Sequence, residues 1–392
     1  MDKKKKILII HNYYQIPGGE DVVVANEKEM LEKHGHEVVL YTRSNSEIKE
    51  MSIMQKILLP FASIFNIKTY ADVKKIIIEE KIDVVHVHNT LSLISPAVYY
   101  AACICGVPVV QTIHNFRLLC PSATFYRNGN ICEDCLKYGL KSSVKHGCYR
   151  KSRLQTLVCV IGMKLHRMTK IYGKINYICL TDFNKEKLLQ LKMINSQNVF
   201  VKPNFMNKAT EFVPQEKRRD QFVFAGRLDE LKGVDILLKA WKEISKIKSS
   251  SKLLICGIGP MEAWCKEFVE TNNLDVEMKG FVPNTEVREI IANSKALILP
   301  TRWYEGFPMS IVEAFSVGTP VICTDIGNAG SIVEEGKCGY KFHKESVTEL
   351  VKIVENFEGL SKSTFDIFES RYTEEINYKT LNSIYNKMKR KI

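Results

Sequence analysis

Short apolar, β-branched runs recur along this 392-residue chain, each separated from the next by a longer amphipathic stretch. The first half carries KILIIH, EVVLYT, VVHVHN, PVVQTIH, YICLT and VFVKP; the second carries QFVFAG, KLLICG, VEMKGF, ALILPT and PVICT. Runs of this length, bounded by Gly, Pro, Asn and Asp, predict strands buried on both faces, and the stretches between them predict the crossover helices that parallel strands require. The pattern therefore points to α/β architecture, with two doubly wound halves. A chain this long also exceeds what one hydrophobic core usually supports. The polar, proline-containing segment 206–221 is the expected boundary, giving domains at 1–205 and 206–372. A helical stretch at 373–392 is expected to pack back onto the first domain.

Charge separates the two halves. Residues 1–205 hold 29 Lys and Arg against 17 Asp and Glu, whereas residues 206–392 hold 27 of each. Between Cys135 and Thr181 there are ten cations and no acid. Such a segment predicts a surface for an anionic partner, or more plainly a solvated helix face. Within it, LQTLVCVIGMKLHRM has the apolar spacing to lay one face on an anionic membrane, although a core-facing helix reads the same way. No nucleic-acid motif with interleaved aromatics accompanies the charge, so nucleic acid is not expected as a partner. No apolar run is long enough to cross a bilayer, and MDKKKKILIIHNYY leads into the first strand without a cleavage pattern. A cytoplasmic protein, peripheral on the inner membrane leaflet, is expected, with its twelve cysteines as free thiols or metal ligands rather than disulfides.

In open α/β sheets ligands lie beyond the carboxyl ends of the strands, so the residues just after each run are the candidates for contact. After the first comes YQIPGGE, where Gly18 and Gly19 let a helix N-terminus approach an anion, or simply make a turn. After the first strand of the second half comes AGRLDELKG, whose Arg227 and Lys232 suit a pyrophosphate. The next strand ends in CGIGP, a further loop with Gly257 and Gly259. ALILPT is followed by TRWYEGFPMSIVEAF, with Pro308 placed for the first turn of a helix beginning near Phe307. Glu305 then precedes that helix, and Glu313 lies roughly 9 Å further along it at ~1.5 Å per residue. Two carboxylates separated in this way, with cations and a helix N-terminus between them, fit a ligand with hydroxyls at both ends and a pyrophosphate in the middle: a nucleotide sugar.

On these residues the chain resembles retaining glycosyltransferases of family 4, the group 1 glycosyl transferases, and similar bacterial enzymes that build surface polysaccharide. Glu305 to Glu313 matches that family's E-x7-E motif and GRLDELKG its Arg and Lys motif. Gly18-Gly19, DVVHVHN and TIHN fall where the first domain's pattern places them, so the likeness covers nearly the whole chain. It implies the GT-B fold, two Rossmann-like domains facing a central cleft. It also implies hexosyl or N-acetylhexosaminyl transfer from a nucleotide-diphosphate sugar to a glycan or lipid-linked acceptor, with no cofactor required for catalysis. By the same likeness Glu313 binds the ribose, Arg227 and Lys232 the diphosphate, Glu305 the sugar ring, and the backbone of Gly306, Phe307 and Pro308 the phosphate and sugar. Gly18, Gly19, Gly257, Gly259 and Val282 complete the expected donor site, and His114 joins Arg227, Lys232 and Glu305 as an expected catalytic residue. A GT-B nucleotide-sugar epimerase and a non-catalytic sugar-binding protein are the competing readings.

Two expectations concern the first half alone. His86 and His88, read as alternating along one strand, are expected to point oppositely and to be structural. Cys120, Cys132, Cys135 and Cys148, within a basic insertion at about 117–175, have spacing that suits either a closed structural zinc site, with His146 able to replace Cys148, or a set of free thiols.

Overall fold

The computed structural model describes residues 4–15, 18–206, 211–248 and 250–388. Residues 207–210 of the expected boundary, Ile16 and Pro17 of the first glycine turn, and 389–392 of the expected terminal helix lie outside them. The described chain divides into two compact units. Unit 1 comprises residues 1–125, 132–203 and 377–392; unit 2 comprises 126–131 and 204–376.

All eleven apolar runs form strands. In the first half these are β1 (Lys6–Tyr13), β2 (Glu37–Ser44), β3 (Val84–Val87) and β4 (Val109–Ile113), then, after a small hairpin of β5 (Tyr126–Arg127) and β6 (Asn130–Ile131), β7 (Asn176–Cys179) and β8 (Val199–Val201). The unit 1 sheet is wholly parallel in the order β2-β1-β3-β4-β7-β8. The order reverses between β1 and β3, and Ile7 to Ile10 at the centre are fully buried. The antiparallel hairpin belongs to unit 2 although its sequence lies in the first half.

Unit 2 contains β9 (Gln221–Ala225), β10 (Lys252–Cys256), β11 (Val276–Gly280), β12 (Ala296–Leu299), β13 (Val321–Thr324) and β14 (Gly339–Phe342). Its sheet is parallel in the order β11-β10-β9-β12-β13-β14. Along β9, Phe222 and Phe224 enter one hydrophobic cluster with Trp241, and Val223 enters another with Ile311 and Phe315. Alternate residues thus serve two cores, which is why the run reads as continuously apolar. Each such fully buried side chain contributes about 1.5–3 kcal/mol relative to exposure.

The last helix, Glu374–Lys387, enters unit 1 from Asn377 onward. It buries Tyr378, Leu381, Ile384 and Tyr385, and the Tyr385 hydroxyl lies 2.7 Å from Nδ1 of His86.

Candidate functional site

In unit 2, β9 lies between β10 and β12, so its carboxyl end opens at the point where the strand order reverses. Three glycines let the surrounding loops close on one another. A Cβ at Gly257 would lie 1.8 Å from the Gly226 carbonyl oxygen, and one at Gly259 would lie 2.3 Å from that of Leu228. At Gly233, left-handed with φ +69°, it would lie 2.0 Å from the Pro300 oxygen. Gly257 and Gly259 therefore answer to loop packing, and the Gly257 amide is already bonded to the Gly280 oxygen at 2.7 Å.

Glu305 stands beyond β12, only 5% exposed. Lys232 Nζ donates to its Oε1 at 2.8 Å, and the Thr301 hydroxyl donates to the same oxygen at 3.0 Å. Thr301 is anchored in turn by Thr324, which donates to its carbonyl at 2.6 Å. The Asn328 amide donates to the carbonyls of Glu305 and Gly306, pinning the loop from below. The helix after this loop is Met309–Ser316 with Pro308 at its N-cap, two residues later than the sequence suggests. Its first amides have no helical partner. Phe307 packs against the core, and Val282 is buried in that same core.

The structure brings Lys232 and Glu305 together but leaves Arg227 apart from them. The Arg227 side chain is 68% exposed and paired with Asp229 at 3.3 Å. Glu313 sits in the helix, its carbonyl accepting from the Ser316 hydroxyl at 2.7 Å, and burial raises its carboxyl above the ordinary range against the pull of Arg288. Arg302 gave no sign in the sequence. It is bound by Asp235 at 2.8 Å and Glu345 at 2.6 Å, and so ties the end of β12 to the helix Val234–Ile247 and to the turn after β14.

In unit 1, Gly18 caps the helix Gly19–Lys33, its amide donating to Asp21 Oδ2 at 2.9 Å. A Cβ at Gly18 or Gly19 would meet nothing within 4 Å, so neither glycine is demanded by packing. Asp21 Oδ1 holds His11 Nε2 at 2.7 Å. The expectation for His86 and His88 is corrected: residues two apart on a strand share a face, and the two rings stack with centroids 4.4 Å apart. His88 Nδ1 then meets His114 Nε2 at 2.9 Å, so the three rings form one contiguous row. His88, His114, Asn115 and Arg117 line one pocket together with Tyr99 and Met163. Burial and the neighbouring His88 hold the His114 pKa well below the usual value, which favours the uncharged ring.

The Glu27, His86 and His88 group does not fit an ion. Among the described residues, Glu27, His86 and His88 are the group of three whose ligand atoms lie within 4.8 Å of one another. The Lys202 ammonium already neutralises Glu27 at 2.7 Å, and both His86 nitrogens are engaged, one by Tyr385 and the other by Thr112 at 2.7 Å. The thiol of Cys120 lies beside that of Cys135 and meets Ser122 at 3.1 Å. Cys148 also acts on Cys135 electrostatically, so three of the four cysteines lie near one another.

Two family models match the chain. Residues 17–139 match the model described as Glycosyltransferase Family 4, and residues 206–367 match that described as Glycosyl transferases group 1. WcaL proteins named for colanic acid biosynthesis are 26% identical in Salmonella typhimurium and 25% in Escherichia coli. Those matches cover 40% and 43% of this chain and the same shares of the relatives, so the chain spans under half their length. A 41.2 kDa protein of the cps region of Klebsiella pneumoniae is 23% identical over 89% of both chains. Among solved structures, the lipopolysaccharide outer core galactosyltransferase WaaB superposes with TM-score 0.68 at 17% identity, covering 97% of this chain and 98% of WaaB. HepE of Anabaena, in complex with UDP and glucose, does so with TM-score 0.63 at 16% identity, covering 97% of this chain and all of HepE. With the two models together matching most of the chain, it belongs to the family 4, group 1 glycosyltransferases.

Proposed function

We propose that the chain transfers a glycosyl unit, with retention, from a nucleotide-diphosphate sugar to a hydroxyl of a surface-polysaccharide or lipid-linked precursor. The observation that carries this is the pairing of Lys232 with the buried Glu305 at the strand-order reversal of unit 2, with the Glu313 carboxylate on the next helix. Glu313 would take the ribose hydroxyls, and Lys232 and Arg227 would meet the diphosphate. HepE's complexes with UDP make a UDP-sugar the first donor to try. Relatives in cps regions and those named for colanic acid synthesis favour a cell-surface glycan as product.

The chemistry follows from charge. As the bond from anomeric carbon to phosphate oxygen breaks, negative charge grows on the departing diphosphate, and fixed cations aimed there lower the barrier. The acceptor oxygen bonds to the anomeric carbon on the same face, and its proton passes to an oxygen of the leaving phosphate.

The acceptor's carrier is read from unit 1. On the helix Arg153–Met168, residues Leu154, Leu157, Ile161, Leu165 and Met168 are exposed at helical spacing, and on the helix Ile53–Ile64 so are Ile53, Ile57 and Phe61. The two helices pack together, with Gly162 set against Ile64. No described helix is long and apolar enough to cross a membrane. An apolar stripe within an acid-free basic segment fits an anionic lipid surface.

A donor panel tests the reading. Purified protein is incubated with UDP-, GDP- and ADP-sugars, with and without lipid extract, and nucleotide release is measured. Acceptor-dependent release from one donor is expected. Epimer formation without an acceptor, or no turnover of any donor, would sink it.

A further inference from the structure

Behind His114 lies a row of buried polar groups that the proposed transfer does not use. Glu27, on the helix Gly19–Lys33, is fully buried, and Lys202, just past β8, is 1% exposed. Their charges meet at 2.7 Å, and Lys202 also donates to Asn377 at 2.9 Å. His88 Nε2 stands 3.2 Å from the second carboxylate oxygen of Glu27, off the straight line of a hydrogen bond. Neither that nitrogen nor that oxygen has a hydrogen-bond partner elsewhere among the described residues. On its other side His88 Nδ1 meets His114 Nε2 at 2.9 Å.

We infer that Glu27 and His88 are positioning residues that fix the tautomer of His114, leaving its Nδ1 as a bare acceptor for a hydroxyl of the sugar or acceptor in the pocket that His114 lines. The inference rests on the transfer proposed above for the meaning of that acceptor, but not for the tautomer itself.

The proton positions follow by elimination. Lys202 keeps Glu27 ionised, and an ionised carboxylate only accepts, so the facing Nε2 of His88 carries a hydrogen. A second hydrogen on His88 would make it a buried cation. The groups facing it are His11, already held by Asp21, the neutral rings of His86 and His114, and Lys202. The one buried anion in contact with it, Glu27, is already balanced by Lys202, so a further charge would have no counter-ion. His88 is therefore neutral with a bare Nδ1, which can only accept, and His114 must donate to it from Nε2. The remaining nitrogen of His114 is Nδ1, without a hydrogen. Whichever group binds there must bring a proton, as a sugar hydroxyl does and a second carbonyl or ether oxygen does not.

The deciding measurement is a long-range proton–nitrogen correlation spectrum of full-length protein labelled with nitrogen-15 histidine, near neutral pH, with His88→Gln and His114→Gln used for assignment. Both rings are expected as neutral Nε2–H tautomers. In Glu27→Gln the side-chain amide can donate to His88 Nε2, which lets His88 carry its hydrogen on Nδ1 and reverses the bond to His114. The His114 signal should then shift toward the Nδ1–H form, and kcat should fall on the order of tenfold with donor KM little changed. Because that variant leaves Lys202 without a counter-charge, Glu27→Gln with Lys202→Met provides a charge-balanced version for the same spectrum. A wild-type His114 that is protonated or carries its hydrogen on Nδ1 would overturn the inference, and so would a His114 tautomer unmoved in both variants. The spectrum reads correctly even if the donor panel fails, so the two proposals fail separately.

Discussion

Nζ of Lys232 stands 2.8 Å from Oε1 of Glu305, and this contact joins the loop after β9 to the loop after β12, the two strands that meet at the strand-order reversal of unit 2. The lysine is thereby held in place before any ligand arrives, with two further N–H groups free to donate.

Lys232→Ala is expected to lower kcat by roughly 10²–10³-fold, the usual cost of removing one preorganised donor from a developing negative charge. Donor affinity should change less, because the charge it serves grows only in the transition state. The variant also leaves Glu305 buried with Thr301 as its remaining donor, so a stability loss of about 1–3 kcal/mol should accompany it. Steady-state kinetics together with urea unfolding separate the two effects. A kcat within a few-fold of wild type would remove Lys232 from the site.

Glu313→Gln should weaken nucleotide binding by roughly 1.5–3 kcal/mol, as expected for loss of a charged hydrogen-bond acceptor. Its effect on the ligand-free protein should have the opposite sign. Burial raises the Glu313 pKa in the fold, so between the ordinary carboxylate value and that raised value the folded state binds more protons than the unfolded state. The stability contributed by this group is present at low pH and lost as pH rises through the folded value. The glutamine variant should therefore be less sensitive to pH and no less stable than wild type at pH above neutrality. Calorimetric titration with nucleotide and melting curves across pH test both halves, and a variant that binds normally would contradict the assignment.

Most of the architecture was legible because buried parallel strands leave an unmistakable apolar run. β14 was not, because GYKF is a sheet-edge strand with a glycine and a half-exposed lysine, and it pairs on one side only. The motif glutamates and Lys232 could be found from local order along the chain. Their supports could not, since Arg302 and Asn328 each act through a residue distant in sequence, and the same is true of the Lys202–Glu27 pair in unit 1. Glu27 did leave a signal in the sequence: it lies among Val23, Val24, Met30 and Leu31 at helical spacing, on the buried stripe of its helix. His86 and His88 needed only the two-residue period of a strand.

Arg218 shows the same limit. It falls within the segment that composition marks as a linker, yet it is 7% exposed and donates to the carbonyls of Val213, Ala292, Ser294 and Val317 and to the hydroxyls of Thr319 and Ser361. Burial alone brings its pKa down to about 10. Replacing it by alanine orphans several buried acceptors at once, so Arg218→Ala should cost about 3–5 kcal/mol, at the severe end for one substitution. Denaturant unfolding is the check, and a loss below ~1 kcal/mol would show that water replaces these bonds at little cost.

The exposed stripe on the helix Arg153–Met168 makes a prediction of its own. If unit 1 rests on an anionic membrane, the protein should float with vesicles containing anionic lipid and much less with neutral ones, and added salt should release it. Each cation near the surface contributes about 1 kcal/mol, whereas the apolar residues contribute by burial below the headgroups. Leu157 and Ile161 are 41% and 48% exposed, so Leu157→Glu with Ile161→Glu should leave folding nearly intact while abolishing flotation. Turnover of a water-soluble acceptor should survive in that variant, and turnover of a vesicle-borne one should not. Equal flotation with both vesicle types would point to apolar adhesion without charge recognition. No flotation with either would return the stripe to an ordinary solvent-facing helix surface and remove the membrane from the proposed function.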